Sequence, residues 1–496
     1  MMDPAVINNG FSSSHPTNTV LNDLPTDTRL PQLPIILDME IMREKFQDCL
    51  FVSINDQTQF VVRQCEIIQI RYKPASSCMV SYRLGIENTS TREHGEQILC
   101  GRAFPEGCSQ SQWEKAGARA LVQPCFGKPL IHLSDLEMVL WSFPSDRKMH
   151  TLPAAIDATH STSETPPSWL LSHVGTGWRV AHSRSRLMHY VGEHSCTMQT
   201  SIELIHPSQN TRQTLTIFGK TYYNEDGVQT DRVMRQLWDS APRRSGQLHM
   251  AQPLWYDARL KTLWQLGIHG TTLENNSFEA PAGIPILKKA AHAVATFHTT
   301  PVSNIPPITV LELLGKLEVV TSMLMRCRPS CRSILIPLRD RLIDQAKTIS
   351  VEPTTTLHGD LHMKNLFLTH DRIALIDLDN VCQGHPGQDI GSFVAGLLTG
   401  ALAKQMPLSQ AAGPLQTFLQ HYNQCAPWKL DQPTLAWFTA VALVTERSYR
   451  CVTRLKDGRL GLLDSLLNLA HEISKVCALP SPTDESTATC ERTSEQ

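Results

Sequence analysis

The sequence lacks an excess of charge of either sign: 45 Lys and Arg stand against 47 Asp and Glu, and the formal net charge is −2. A chain with so little net charge has no electrostatic case for binding nucleic acid, and no Lys/Arg-rich run supplies one locally. No stretch of apolar residues is long enough to cross a bilayer. We therefore expect neither nucleic acid nor a membrane among the partners of this chain.

A secretory signal and a disulfide framework are also missing. Residues 1–34 are polar and lack the basic start and apolar run of a signal peptide. The 14 cysteines follow no regular spacing, and the close pair Cys327 and Cys331 has no neighbouring His or Cys to complete a metal site. These absences predict reduced thiols in a cytoplasmic protein.

What the sequence does contain is an internal repeat. Residues 70–78 (IRYKPASSC) resemble residues 188–196 (MHYVGEHSC), and residues 101–104 (GRAF) resemble residues 219–222 (GKTY). The spacing between the two motifs is the same in both copies, and a third, weaker match follows in the same order. Alternating apolar residues with turn signals between them predict that each copy is a small β-rich unit.

The domain organisation follows from this repeat and from a change of pattern after Pro281, where apolar residues recur at helical spacing. The order is β-rich, β-rich and mostly α, which is an α+β pattern with segregated elements. The predicted parts are a disordered tail at 1–34, a β-rich unit at 35–157, a linker at 158–179, a second β-rich unit at 180–275, a helical unit at 276–478 and a second disordered tail at 479–496.

The strongest chemical signal is LHGDLHMKNLFL at residues 357–368, followed by IALID at residues 373–377. Transfer of a phosphoryl group needs one carboxylate to orient the attacking hydroxyl, and oxygen ligands to hold Mg²⁺. Asp360 suits the first role. Asn365 on the same loop and Asp377 at the end of a strand suit the second. Apolar residues on both sides predict that buried strands anchor the loop.

Each of these residues has a plainer alternative. Asp360 could be a structural turn residue, Asn365 a helix cap and Asp377 an Asx turn at a strand end. The presence of all three in one short segment favours the chemical role.

HGDLH at residues 358–362, together with Asn365 and Asp377, resembles the signature of the aminoglycoside phosphotransferase and choline kinase superfamily. The resemblance implies an α+β, bilobal protein-kinase-like fold, with a small antiparallel β lobe and a mostly helical C-lobe. In this chain a second β-rich, N-lobe-like unit would precede it. The resemblance also implies ATP and Mg²⁺ as cofactors.

The same resemblance assigns roles to residues of the helical unit. Asp360 would be the catalytic base, and Asn365 and Asp377 would bind Mg²⁺. His358 and Asp389 would give structural support to the catalytic loop.

In the second β-rich unit, the resemblance implies a strand lysine that contacts the nucleotide phosphates, and Lys220 is the matching residue. The turn that contains Gly192 would cover the phosphates, and Leu266 would belong to the hinge that meets the adenine edge. In the first copy Arg102 stands in place of the lysine, so we expect that copy to be noncatalytic.

The predicted function is ATP-dependent transfer of a phosphoryl group to a hydroxyl of a small molecule, such as a sugar, an amino alcohol or an aminoglycoside-like compound. The alternative is a catalytically weak, kinase-like regulatory protein that binds nucleotide. It is motivated by the helix after Lys220, which offers Asp231 but no well-placed glutamate. Phosphorylation of a protein side chain ranks below both. The acceptor, the choice between ATP and GTP and the oligomeric state stay open.

Overall fold

The computed structural model describes residues 24–51, 59–159, 166–275, 283–455 and 459–481. The disordered tails predicted for the two ends therefore lie largely outside the described residues. The chain forms two compact units. The first unit comprises Met1–Arg235, Ala251–Gly267 and Thr453–Asp457, and the second comprises Gln236–Met250, Ile268–Val452 and Gly458–Gln496.

Two five-stranded antiparallel sheets form the framework of the first unit. The first sheet has the strand order β1-β2-β3-β5-β4 and consists of β1 (Phe60–Lys73), β2 (Ser77–Asn88), β3 (His94–Ala103), β4 (Leu130–Leu133) and β5 (Met138–Ser142). The second sheet has the order β10-β11-β8-β7-β6 and consists of β6 (Arg179–Val191), β7 (Ser195–His206), β8 (Thr211–Tyr222), β10 (Pro253–Asp257) and β11 (Thr262–Leu266). Both predicted β-rich units therefore contain a sheet, and the two sheets share one topology.

The helices along this part of the chain are α1 (Leu33–Ile36), α2 (Met39–Cys49), α3 (Ser109–Gly117), α4 (Leu152–Thr159), α5 (Ser168–Val174) and α6 (Asp226–Trp238). Two segments of this part of the chain correct the predicted boundaries. Leu30 and Leu33 are buried, so the ordered chain begins before residue 35. The predicted linker at 158–179 contains α5, whose Leu170 is fully buried, because apolar contact with the second sheet outweighs the local Ser/Thr/Pro composition.

Helix α2 shows how the first sheet acquires its core. Asp38 caps the helix, since its carboxylate accepts hydrogen bonds from the backbone N–H groups of Glu40 and Ile41 at 3.0 Å. The buried face of α2 presents Phe46, whose ring meets that of Tyr82 on β2 edge-on at 5.0 Å. Burying one such aromatic side chain stabilises the fold by about 2–3 kcal/mol.

The second unit is mostly helical. Its helices are α7 (Ala241–Arg244), α8 (Gly283–Thr299), α9 (Val310–Cys327), α10 (Arg332–Ala346), α11 (Gly387–Ala403), α12 (Leu408–Cys425), α13 (Gln432–Ala442), α14 (Tyr449–Arg454) and α15 (Leu463–Val476). A π-helical turn, Leu443–Ser448, joins α13 to α14. The α+β class with segregated elements is confirmed.

Two small sheets lie among these helices. The strands are β9 (His249–Met250), β12 (Thr271–Thr272), β13 (Pro307–Ile308), β14 (Thr355–Leu357), β15 (Leu366–Thr369), β16 (Arg372–Leu375) and β17 (Cys382–Gly384). Their orders are β12-β15-β16-β9 and β13-β17-β14. Strands β14, β15 and β16 flank the segment singled out by its chemistry, so these sheets position the candidate site.

None of the described helices combines the length and the apolarity that crossing a bilayer requires. The cysteines within the described ranges are free thiols.

Candidate functional site

The predicted catalytic loop lies in the second unit, between β14 and β15. Both ends are anchored as predicted, because Leu357 and Leu366 are fully buried. The antiparallel pairing of β15 with β16 places Leu366 opposite Leu375. Next to this pair, the Ile376 N–H donates to the Asn365 carbonyl at 3.1 Å. Asp377, the residue after Ile376, therefore lies one residue from this backbone hydrogen bond to Asn365.

Asp389, on the first turn of α11, holds the start of the loop. Its carboxylate accepts hydrogen bonds from the N–H of His358 at 2.6 Å and the N–H of Gly359 at 3.0 Å. A ring nitrogen of His298 lies 3.1 Å from the same carboxylate. With 1% of its surface exposed, Asp389 touches only the protein around it, and this geometry supports the predicted role of bracing the loop.

Gly359 is required by the path of the chain at this point. Its φ is +78°, in the region that residues with a Cβ rarely adopt. A Cβ added here would lie 2.0 Å from the carbonyl oxygen of Asn380. The glycine therefore lets the loop pass close to the segment that follows Asp377.

Asp360 carries the carboxylate of the loop, and 28% of its side chain is exposed. One oxygen lies 3.5 Å from Nε2 of His362 and the other 3.4 Å from Nη2 of Arg450. Burial works to raise the pKa of Asp360, but the hydrogen bond and charge of His362, followed by the charge of Arg450, hold that pKa well below its usual value. The carboxylate is therefore ionised at neutral pH and able to accept a hydrogen bond from a hydroxyl.

The two predicted metal ligands differ in setting. Asn365 is buried, and its amide nitrogen donates to the carbonyl oxygen of Asp360 at 3.0 Å. Its amide oxygen therefore points away from that carbonyl. Asp377 is exposed and adopts a left-handed backbone conformation, with φ 61° and ψ 62°. Among the described residues no group of three or more His, Cys, Asp or Glu side chains could hold a metal. One amide oxygen and one exposed carboxylate fit Mg²⁺, which keeps several of its waters.

His358 links the loop to the strand end. It is fully buried, and its Nε2 lies 2.9 Å from the carbonyl oxygen of Ile376, the residue before Asp377. The ring thus ties the segment that carries Asp360 to the segment that carries Asp377, which agrees with the predicted supporting role.

The predicted nucleotide residues belong to the first unit. Lys220 lies on β8, opposite Thr197 on one side and Leu263 on the other, with its ammonium 5.7 Å from the centre of the Tyr222 ring. Leu266 ends β11, and its N–H donates to the Gln252 carbonyl at 2.9 Å.

Gly192 lies in the turn between β6 and β7 and is buried. A Cβ at this position would come within 2.2 Å of the Cys100 sulfur, so the first sheet packs directly on this turn. The nucleotide roles of Gly192, Lys220 and Leu266 stay predictions.

Sequence reasoning missed Arg450 and assigned no site role to His298. Arg450 reaches Asp360 across 90 positions of the chain, and His298 lies 91 positions from Asp389. His298 also places its Nδ1 2.8 Å from the hydroxyl of Tyr422. Neither residue belongs to a local motif, so nothing in the sequence marks it.

Comparison with known proteins finds a family model that matches the part of the chain around this site. Residues 209–428, which include Lys220 and the whole predicted catalytic loop, match the model of the phosphotransferase enzyme family. This match and the segregated α+β elements confirm the predicted kinase-like fold class and the resemblance read from the sequence.

A relative among known proteins matches a short part of the chain. A methylthioribose kinase of Bacillus velezensis is 33% identical over 94 residues, which are 18% of this chain and 23% of that protein. This chain thus matches about a quarter of the length of that curated relative.

Solved structures that resemble the chain include a phosphotransferase from Ralstonia eutropha and an amicoumacin kinase. The first is described as a putative aminoglycoside phosphotransferase and is 15% identical, with a TM-score of 0.43 over 64% of this chain and 99% of that one. The amicoumacin kinase, solved with AMP-PNP, Ca²⁺ and its substrate, is 14% identical, with a TM-score of 0.42 over 67% of this chain and 98% of that one.

Proposed function

We propose that this chain transfers the terminal phosphoryl group of ATP to a hydroxyl group of a small molecule. The observation that carries the proposal is the braced loop, in which Asp389 fixes the backbone and Asp360 presents an ionised, partly exposed carboxylate. The family match of residues 209–428 supports the same reaction class.

The proposed chemistry follows from the residues of the loop. The acceptor hydroxyl donates a hydrogen bond to Asp360, its oxygen attacks the terminal phosphorus, the bond from that phosphorus to the bridging oxygen breaks, and the hydroxyl proton passes to Asp360. A weakly basic carboxylate suffices, because the transition state is largely dissociative and the proton leaves late. Mg²⁺ held by Asn365 and Asp377 would neutralise charge on the phosphate oxygens.

The acceptor class is part of the proposal and is not fixed by the loop. Because the relatives are named as a methylthioribose kinase and an aminoglycoside phosphotransferase, methylthioribose-type sugars and aminoglycoside-type antibiotics are acceptors to test. We propose a hydroxylated metabolite or carbohydrate ahead of an aminoglycoside.

The experiment measures ATP-dependent gain of one phosphate by mass spectrometry across sugars, amino alcohols and aminoglycosides. The variant Asp360→Asn should lower the rate by about 10²–10⁴-fold while nucleotide still binds. Asp371→Asn, the same change at an exposed turn residue of the same unit, is the matched control and should keep full activity. Equal rates for the wild type and Asp360→Asn would contradict the proposed role of Asp360.

A regulatory, catalytically weak protein is the second candidate. It is motivated by the sequence of α6, the helix after Lys220, which offers Asp231 but no glutamate. Nucleotide binding without transfer to any acceptor of the panel would favour this candidate over the kinase.

A further inference from the structure

The lysine position of the second sheet has a counterpart in the first. Lys220 lies on β8 between β7 and β11, and Arg102 lies in the same way on β3 between β2 and β5. The Arg102 guanidinium donates to the hydroxyl of Ser77 at 2.7 Å. Ser77 begins β2, immediately after the β1–β2 turn, as Ser195 begins β7. Arg102 therefore reaches toward the turn of its own sheet. This is the direction that we expect of a side chain that binds phosphates under such a turn.

That place is filled by a side chain from the second copy. The carboxylate of Glu193 accepts two hydrogen bonds from Arg102, both at 2.8 Å, and two from Arg147, at 2.8 and 2.9 Å. Only 4% of the Glu193 side chain is exposed. Two guanidinium groups that each donate two hydrogen bonds to one anion have the charge and geometry with which proteins bind a phosphate, and here the anion is a carboxylate.

The backbone around Glu193 is fixed as firmly as its side chain. Its N–H donates to Asp146 at 2.9 Å, and its φ of +58° lies in the left-handed region. The preceding residue, Gly192, leaves no room for a Cβ beside Cys100. Residues earlier in the chain thus hold the turn at 191–195 in three ways: by a hydrogen bond to its backbone, by packing against Gly192 and by the ion pairs with Glu193.

We propose that the Glu193 carboxylate occupies, in the first sheet, the position that nucleotide phosphates take in the second. Arg102 and Arg147 then hold the β6–β7 turn in the conformation that covers the nucleotide of the second sheet. This inference rests on the proposed function. It makes Arg102 a positioning residue, and it predicts one nucleotide per chain because the equivalent place in the first sheet is already filled.

The ionisation of Glu193 agrees with this arrangement. Burial works to raise the pKa of Glu193, but the hydrogen bonds from Arg147 and Arg102 lower it, so the carboxylate stays anionic between the two cations.

The test compares Arg102→Ala with Arg83→Ala, a matched control on the same sheet whose arginine pairs with Glu66 at 3.2 Å and with Glu96 at 3.8 Å. Arg102→Ala should raise the KM for ATP about tenfold, with the KM of the acceptor and the fold unchanged. Arg83→Ala should leave the KM for ATP unchanged. Arg102→Lys keeps the positive charge but not the bidentate hydrogen bonds, so its KM for ATP should lie between those of the wild type and Arg102→Ala.

Arg147→Ala provides a second variant, since Arg147 is more exposed than Arg102 and its removal disturbs the core less. It should change the KM for ATP in the same direction. Calorimetry should give one ATP per wild-type chain. Two nucleotides per chain, or an unchanged KM for ATP in folded Arg102→Ala and Arg147→Ala, would overturn the inference alone. A wild type that binds no nucleotide would overturn the proposed function and this inference with it.

Discussion

At the scale of single residues, the charges beside Asp360 determine the pH range in which it is ionised. His362 and Arg450 lower the pKa of this carboxyl, against the effect of its burial. A carboxylate with a lowered pKa is charged above that pKa and loses its charge only as the pH falls through it. We therefore expect the carboxylate of Asp360 to stay charged from neutral into acidic pH.

Arg450→Ala tests this link. Without the guanidinium the pKa of Asp360 should rise toward its ordinary value, and the acid limb of the pH profile of kcat/KM should move toward neutrality. We expect a loss of about threefold to tenfold at the acid end and little loss at neutral pH. Carbon NMR of the Asp360 carboxyl measures the pKa directly.

Arg450→Lys keeps the positive charge and serves as the control, so its profile should stay close to that of the wild type. An acid limb that does not move in Arg450→Ala would show that Arg450 has no electrostatic effect on Asp360.

The contrast between Asp360 and Arg450 also explains which residues of the site could be predicted. Asp360, Asn365 and Asp377 lie within one short segment, so their chemistry and spacing are visible in the sequence. Arg450 and His298 come from distant helices, α14 and α8. Only folding brings Arg450 to Asp360 in the loop and His298 to Asp389, which holds the loop. A single sequence carries no signal for contacts over such separations.

At the scale of elements, the predicted catalytic loop contains a backbone conformation that residues with a Cβ rarely adopt. The loop turns at Gly359, where φ is +78° and the carbonyl of Asn380 lies close. Asp389 accepts hydrogen bonds from the N–H groups of His358 and Gly359. A change of backbone conformation at Gly359 would therefore disturb these two hydrogen bonds.

Gly359→Ala should therefore destabilise the protein by about 2–4 kcal/mol and remove most of the activity. The control is Gly315→Ala in α9, an exposed helical glycine with open space around it. That change should stabilise the protein by about 0.5–1 kcal/mol. Urea unfolding of both variants measures the difference, and a Gly359→Ala protein as stable and active as the wild type would contradict the role of this turn.

The elements themselves were predictable to different degrees. Apolar residues at helical spacing after Pro281 predicted a helical unit, and the structure has α8, α9 and α10 in that part of the chain. Periodicity reports which face of a segment is buried, but not its partner. The parallel pairing of β16 with β9, which joins Ala374 to His249, has no signature in either segment.

At the scale of the whole molecule, the structure extends the repeat found in the sequence. In the first copy Asp27 accepts hydrogen bonds from the Tyr72 hydroxyl and from the N–H of Ala75, both at 2.7 Å. In the second copy Asp146 accepts them from the Tyr190 hydroxyl at 2.6 Å and from the N–H of Glu193 at 2.9 Å. The tyrosine of the sequence repeat is thus kept by the same contact in both copies, which supports a duplication that begins at these aspartates.

The two aspartates allow a matched test of whether the copies have diverged in function. Asp27→Asn and Asp146→Asn remove equivalent charge-assisted hydrogen bonds, and each should lower the free energy of unfolding by about 1–2 kcal/mol. Of these two aspartates, Asp146 is the one that contacts the turn carrying Glu193, so we expect Asp146→Asn, and not Asp27→Asn, to raise the KM for ATP as well. Steady-state kinetics with ATP as the varied substrate, beside urea unfolding, separates the two effects. Equal increases in the KM for ATP would mean that the turns of both copies act on the nucleotide, and that the first copy retains a direct role in binding it.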